Sequence, residues 1–134
     1  MLVACGVAER EGKVLVCKRP WGVPYAGYWE FPSEELMDGE TLENTIEMAF
    51  FDRFSVISGS NSPMFAFDSS CVPDCRIFTF KVNFQETKLV LNGYNDARWV
   101  KLDKLRKFRF FPDCVTIVKE MQFFFEKSVQ KHIF

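Results

Sequence analysis

A chain of 134 residues is long enough to bury one core and too short for two ordinary domains, so residues 1–134 are expected to form a single domain. Its 48% hydrophobic and 26% charged residues are those of a globular protein and argue against disorder. A net charge of −1 gives no global attraction to nucleic acid or to an anionic membrane, and the lack of an 18-residue apolar run or a charged leader points to a cytoplasmic protein with no membrane span.

Residues 2–7 and 13–17 run apolar on either side of Glu9-Arg10-Glu11-Gly12, a polar turn with glycine placed for a hairpin, and are read as the first two strands. Residues 20–27 hold two prolines and two glycines and are read as a loop. Within it, Trp21 and Tyr25 are expected to pack as lids rather than stand free as stacking platforms. Trp29 and Phe31, stopped by Pro32, form a short strand, and the polar residues 33–40 with Gly39 suit a turn. Thr41 then caps a helix reaching Phe54, with Asp38, Glu40 and Glu43 at the positive end of its dipole. Leu42, Ile46, Ala49, Phe50 and Phe54 keep the 3.6-residue period, and Met48 and Phe51 broaden the stripe, so the helix is expected to be mostly buried. The acidic row Glu40, Glu43 and Glu47 reads as a solvated face that compensates the dipole.

After a polar break at residues 58–63, residues 64–67 and 76–84 are read as an antiparallel pair joined by a loop that holds Cys71 and Cys75. A short strand over 89–91, a polar tip over 92–96 and a strand through Trp99 follow. Residues 102–107 form a helical turn, and a last helix from Pro112 to about Gln130 buries Val115, Val118, Met121 and Phe125. The basic run of Lys101, Lys104, Arg106, Lys107 and Arg109 reads as solvated surface, so nucleic acid is not an expected partner. Five cysteines and a single histidine, His132, favour reduced thiols over disulfides or structural zinc. Sixteen phenylalanines imply a core of bulky rings, with an aromatic ligand cleft or a homodimer face as the alternative.

The run Glu30-Phe31-Pro32, the loop ending in Gly39-Glu40-Thr41 and the amphipathic helix after it resemble the Nudix box of MutT-like hydrolases. Arg19 upstream, and Ala97-Arg98-Trp99-Val100 and Phe111-Pro112-Asp113 downstream, are similar to the frame of that family, so the resemblance covers most of the chain. It implies an α/β fold, an α/β/α sandwich with a mixed β-sheet between helices.

The family pattern is G-x5-E-x7-R-E-U-x-E-E-x-G-U, with U aliphatic. Laid on this chain, its first Gly falls on Glu34, its isolated Glu on Glu40, its Arg-Glu pair on Met48-Ala49, its Glu-Glu pair on Asp52-Arg53 and its second Gly on Ser55. Residues i, i+3 and i+4 share one helix face, so three carboxylates at 49, 52 and 53 would converge on a divalent cation. Here that face carries a methyl group, one short carboxylate and a permanent guanidinium.

By resemblance, the activity would be Mg²⁺- or Mn²⁺-dependent hydrolysis of a nucleoside diphosphate linked to another group. Glu40 and Asp52 would be catalytic and, with Asp96, would hold the metal; Asp96 reads equally well as a turn former. Arg19, Phe31 and Cys114 would bind the substrate, Cys114 standing near the position that reads the base. The replaced carboxylates imply weak or lost turnover. The alternative is a non-catalytic module on the same fold that binds a nucleotide or a protein partner.

Overall fold

The computed structural model describes residues 1–59 and 61–133, with residues 124–133 by backbone alone. β1 (Leu2–Arg10) and β2 (Lys13–Lys18) form the expected antiparallel hairpin, with Arg10 opposite Lys13. Its two-residue loop needs two left-handed residues, and Glu11 (φ 52°) and Gly12 (φ 77°) supply them.

β3 (Trp29–Glu30) and β7 (Asp96–Lys101) both lie antiparallel to β2, while β5 (Ser62–Asp68) is antiparallel to β6 (Arg76–Val82). β6 pairs with β1 in parallel, which makes the sheet mixed. Residues 33–40 depart from the expected turn, because Ser33–Glu35 form β4 against Val3, Ala4 and Cys5. The hairpin ladder uses only Glu9 and Arg10 of β1, so the first half of that strand has backbone groups free to be paired, and β4 takes them.

The central strands are apolar on both faces, as strands covered by helices on both sides must be. Cys5, Val7, Val14, Val16 and Ile77 meet Ile117 and Met121 of α2 (Pro112–Ile133). The alternate residues Ala4, Ala8, Leu15, Cys17, Phe80 and Val82 meet Ile46, Phe50 and Phe54 of α1 (Leu42–Phe54). One helix on each face of the sheet gives the expected sandwich. Gly6 is required between Ala4 and Ala8, since a Cβ there would lie 2.4 Å from a carbon of the Phe50 ring. This row of small residues lets α1 settle onto the sheet.

α1 begins and ends where its residues dictate. The Asn44 N–H donates to the Thr41 hydroxyl at 3.1 Å, and Ser55 (φ 56°) closes the last turn by donating its N–H to the Phe51 carbonyl at 2.9 Å. The helix is covered on one side only, so Met48 (53% exposed) and Phe51 (58%) stand outside the stripe they were expected to broaden. On α2 the stripe is Cys114, Ile117, Val118 and Met121, whereas Val115 is exposed; the side chain of Phe125 lies outside the described residues. No strand forms at 89–91. Instead the Val90 and Asn92 N–H groups donate to the carbonyls of Phe54 and Arg53, which the end of α1 leaves without helical partners.

Trp21 is 75% exposed rather than packed, while Tyr25 meets the rings of Tyr28 and Phe111 edge-on. Leu102–Lys107 is the expected short turn, of 3-10 type, pinned by the buried Leu105. Among the described residues no helix is long and apolar enough to cross a membrane.

Candidate functional site

The end of β2 delivers Arg19 into a loop that folds around it. Its backbone N–H donates to the Tyr28 carbonyl, its carbonyl accepts from Gly27, and its Nε donates to the Pro24 carbonyl at 2.9 Å. β3 runs alongside and places Glu30, only 8% exposed, in an ion pair with the Arg19 guanidinium. The second oxygen of Glu30 accepts from the Tyr94 hydroxyl at 3.1 Å. Burial, then the Glu30 charge, push the Tyr94 phenol well above its usual pKa, so it stays a donor. The Tyr94 ring is itself stacked on Phe54.

Arg53, on the edge of α1, completes this chain of contacts. Its Nη2 donates to the Ser33 carbonyl at 2.7 Å and to the Glu34 carboxylate at 3.0 Å, and its guanidinium lies 5.9 Å from the Tyr94 ring centre. Two arginines and two carboxylates therefore alternate along one line: Glu34, Arg53, Tyr94, Glu30, Arg19.

Two cavities open on either side of the Arg19–Glu30 pair, and both are lined by it. The first, about 190 Å³, is apolar, walled by Cys5, Ile77, Phe111, Cys114 and Ile117, with Asp113 at its margin. The second, about 180 Å³, is the more polar of the two and holds Arg53, Asn92 and Tyr94. Each alone is smaller than the roughly 300–1,000 Å³ of small-molecule sites.

Asp113 is bound into the wall of the first cavity. It accepts from Ser69 Oγ (2.7 Å), Ser70 N (2.9 Å), Ser70 Oγ (3.1 Å) and Cys71 Sγ (3.3 Å), tying the loop after β5 to the start of α2. Burial pulls its pKa up, but the hydrogen bonds from Ser69, Ser70 and Cys71 outweigh it and hold the carboxyl below its usual value. Burial pushes the Cys114 thiol up to about 12, so at neutral pH it presents an uncharged, weakly polar surface. All five cysteines are free, and Cys71 alone is exposed.

The expected site residues fall into two groups. Arg19, Phe31 and Cys114 come together at the first cavity, where the Phe31 ring is fully buried and stacked on Phe110. Glu40, Asp52 and Asp96 do not gather with them. Glu40 is half-buried before α1 and accepts from the Thr45 hydroxyl at 3.3 Å. Asp52 is exposed, and its carbonyl accepts from Asn92. Asp96 caps the start of β7, accepting from the Ala97 N–H at 2.8 Å and from Arg98 Nε at 3.0 Å.

Among the described residues no group of three His, Cys, Asp or Glu side chains is placed to hold a metal ion. Mg²⁺ and Mn²⁺ need several hard oxygen ligands. The methyl of Ala49 and the guanidinium of Arg53 supply none, so the residues present do not fit the divalent ion that the sequence pattern implies. Sequence reasoning missed Glu30, Glu34, Tyr94 and Asp113 as site residues. For Glu34 and Arg53 a signal existed: both depart from the pattern, with opposite charges.

By sequence, no protein-family model and no curated protein matches the chain. Its shape matches many solved structures. A MutT from the pair Aliivibrio salmonicida and Vibrio cholerae superposes with a TM-score of 0.75 at 20% identity, over 88% of this chain and 93% of that one. A MutT NUDIX hydrolase from Burkholderia pseudomallei gives 0.77 at 14% identity, over 88% and 95%. The NUDIX domain of Shewanella oneidensis NrtR, solved with ADP ribose, gives 0.73 at 15% identity, over 91% and 86%. Helices on both faces of a mixed sheet, in agreement with solved structures of this kind over nearly the whole length, make this chain a protein of the Nudix fold.

Proposed function

We propose that the protein binds a nucleotide or nucleoside diphosphate derivative across the two cavities and does not hydrolyse it. The observation that carries this reading is the pairing of an apolar cavity with a guanidinium-lined one across a shared Arg19–Glu30 wall. A ligand with a flat, weakly polar end and an anionic end matches that division. The apolar side would take a ring by burial, while Arg19 and Arg53 would face phosphate oxygens, which planar guanidinium groups meet two at a time. The NrtR domain of similar fold was solved with ADP ribose, a molecule of this class.

No hydrolysis is expected, because hydrolysis at phosphorus relies on cations that neutralise the phosphate, and the donors here do not suit them. Calorimetry with adenosine, ADP and ADP-ribose, run beside an assay for AMP formation from ADP and ADP-ribose in Mg²⁺ and in Mn²⁺, tests the reading. Binding without AMP formation is expected. AMP formation at about 1 s⁻¹ or faster would put the chain among working enzymes. Glu40 and Asp52 would then be the catalytic candidates, and Glu40→Gln should slow AMP formation about tenfold.

A further inference from the structure

The more polar cavity carries two arginines: Arg19, paired with Glu30, and Arg53, which stands where the sequence pattern calls for a metal-binding carboxylate and is paired with Glu34. Besides Glu34, Arg53 Nη2 donates to the Ser33 carbonyl at 2.7 Å and its guanidinium lies against Tyr94, so Arg53 keeps two partners when Glu34 leaves. The Glu34 carboxylate, by contrast, sits on a β4 side chain that is 54% exposed. Swinging it away uncovers the guanidinium and disturbs no buried packing. Across the cavity, Arg19 donates through Nε and Nη1, while its Nη2 has no hydrogen-bond partner among the described residues.

We infer that the Arg53 guanidinium stands in for a divalent cation, so that the cleft takes the phosphate or pyrophosphate part of its ligand without metal, ligand oxygens displacing the Glu34 carboxylate. The inference rests on the proposed nucleotide reading and deepens it. Charge decides the sign of the metal effect. A free Mg²⁺ beside Arg53 would be repelled by a fixed cation in a partly desolvated setting, and Mg²⁺ bound to the ligand removes the charge that Arg53 and Arg19 attract. Glu34 acts as a resident competitor, present in every unliganded molecule at effectively high local concentration.

The experiment is a titration of the whole chain with inorganic pyrophosphate, ADP and adenosine, in EDTA and in Mg²⁺, for the wild type, Arg53→Gln and Glu34→Ala. Pyrophosphate and ADP should bind in EDTA at least as tightly as in Mg²⁺. Arg53→Gln should weaken both by about tenfold or more, roughly the worth of one charged hydrogen-bonded contact, and Glu34→Ala should tighten both by about threefold. Melting curves check that Arg53→Gln is folded; should it not be, the direction of the change in Glu34→Ala, a surface variant, decides alone.

ADP binding that requires Mg²⁺, or that ignores both substitutions in folded protein, overturns the inference and leaves the nucleotide reading standing. Pyrophosphate bound with this dependence, but ADP bound no more tightly than pyrophosphate, keeps the inference and removes the nucleotide reading. If pyrophosphate and ADP both fail to bind, the two fall together.

Discussion

The face of α1 turned to the sheet and the edge turned to the more polar cavity are drawn from the same 13 residues, interleaved one or two positions apart. Ile46, Phe50 and Phe54 on the inner face are fully buried against β1, β2 and β6, and Gly6 leaves the gap that the Phe50 ring fills. Asp52 and Arg53 on the outer edge meet solvent, a backbone carbonyl and an exposed carboxylate. Burial of large apolar rings carries stability in units of kcal/mol, whereas exposed polar pairs carry little. The outer edge can therefore be rewritten, from metal ligands to arginine, while the fold that the inner face holds together remains.

The strongest test is Phe50→Ala. The ring is fully buried and touches Phe54 and Phe84, so its removal should cost about 3–5 kcal/mol in chemical unfolding, the sum of lost burial and a cavity. A loss below about 1 kcal/mol would erase the difference between the two faces.

Asp113 asks whether burial or chemical type sets the cost. It is polar, like Arg53, but 6% exposed and satisfied by four hydrogen bonds. Asp113→Ala should cost about 1.5–3 kcal/mol, the range for hydrogen bonds to a charged group. Its folded pKa lies below the unfolded value of about 3.9, so its contribution is fully present above that pH and fades as pH falls through the folded pKa. The melting-temperature gap between wild type and variant should accordingly be constant near neutrality and shrink in acid. A gap that widens in acid contradicts the assignment of those bonds to the ionised carboxylate.

How much of this was readable beforehand follows the range of the interactions involved. The hairpin at Glu11-Gly12, the Thr41 cap and the limits of α1 depend on neighbours in sequence and are where the residues placed them. β4 was not, because its pairing answers to free backbone groups on β1, some thirty residues away, rather than to its own polar composition. Trp21 stands exposed rather than packed because exposure of a loop ring depends on what the loop wraps, here Arg19. Glu30 lay hidden inside the familiar Glu-Phe-Pro run, and Tyr94 inside a tip whose composition suggested only a turn. The charge reversal at Arg53 was plain; that Glu34, 19 residues earlier, is its partner required the structure.

Ser55 offers a smaller effect of opposite sign. It ends α1 in the left-handed region at φ 56°, where the sequence pattern has glycine. An L-residue other than glycine bears steric strain there, of order 1–2 kcal/mol, and glycine gives part of the relief back through its freer unfolded chain. Ser55→Gly is expected to stabilise by about 0.5–1 kcal/mol in chemical unfolding. Destabilisation would mean that the serine side chain does something for the helix end that its backbone geometry does not reveal.

The smallest expected effect is the most discriminating. In a double-mutant cycle of Arg53→Gln and Glu34→Ala, the coupling free energy in unfolding should be about 0.2–1 kcal/mol, because the Glu34 side chain is more than half exposed and water screens the pair. A coupling of about 3 kcal/mol or more would be that of a buried pair, and would make Arg53 a structural latch on β4. The outer edge of α1 would then belong with the inner face, as part of what holds the fold. A weak coupling in stability, measured beside a tenfold effect of the same Arg53 substitution on pyrophosphate affinity, assigns the guanidinium to the ligand. The two measurements use the same variants, so neither a folding defect nor a general loss of charge accounts for both.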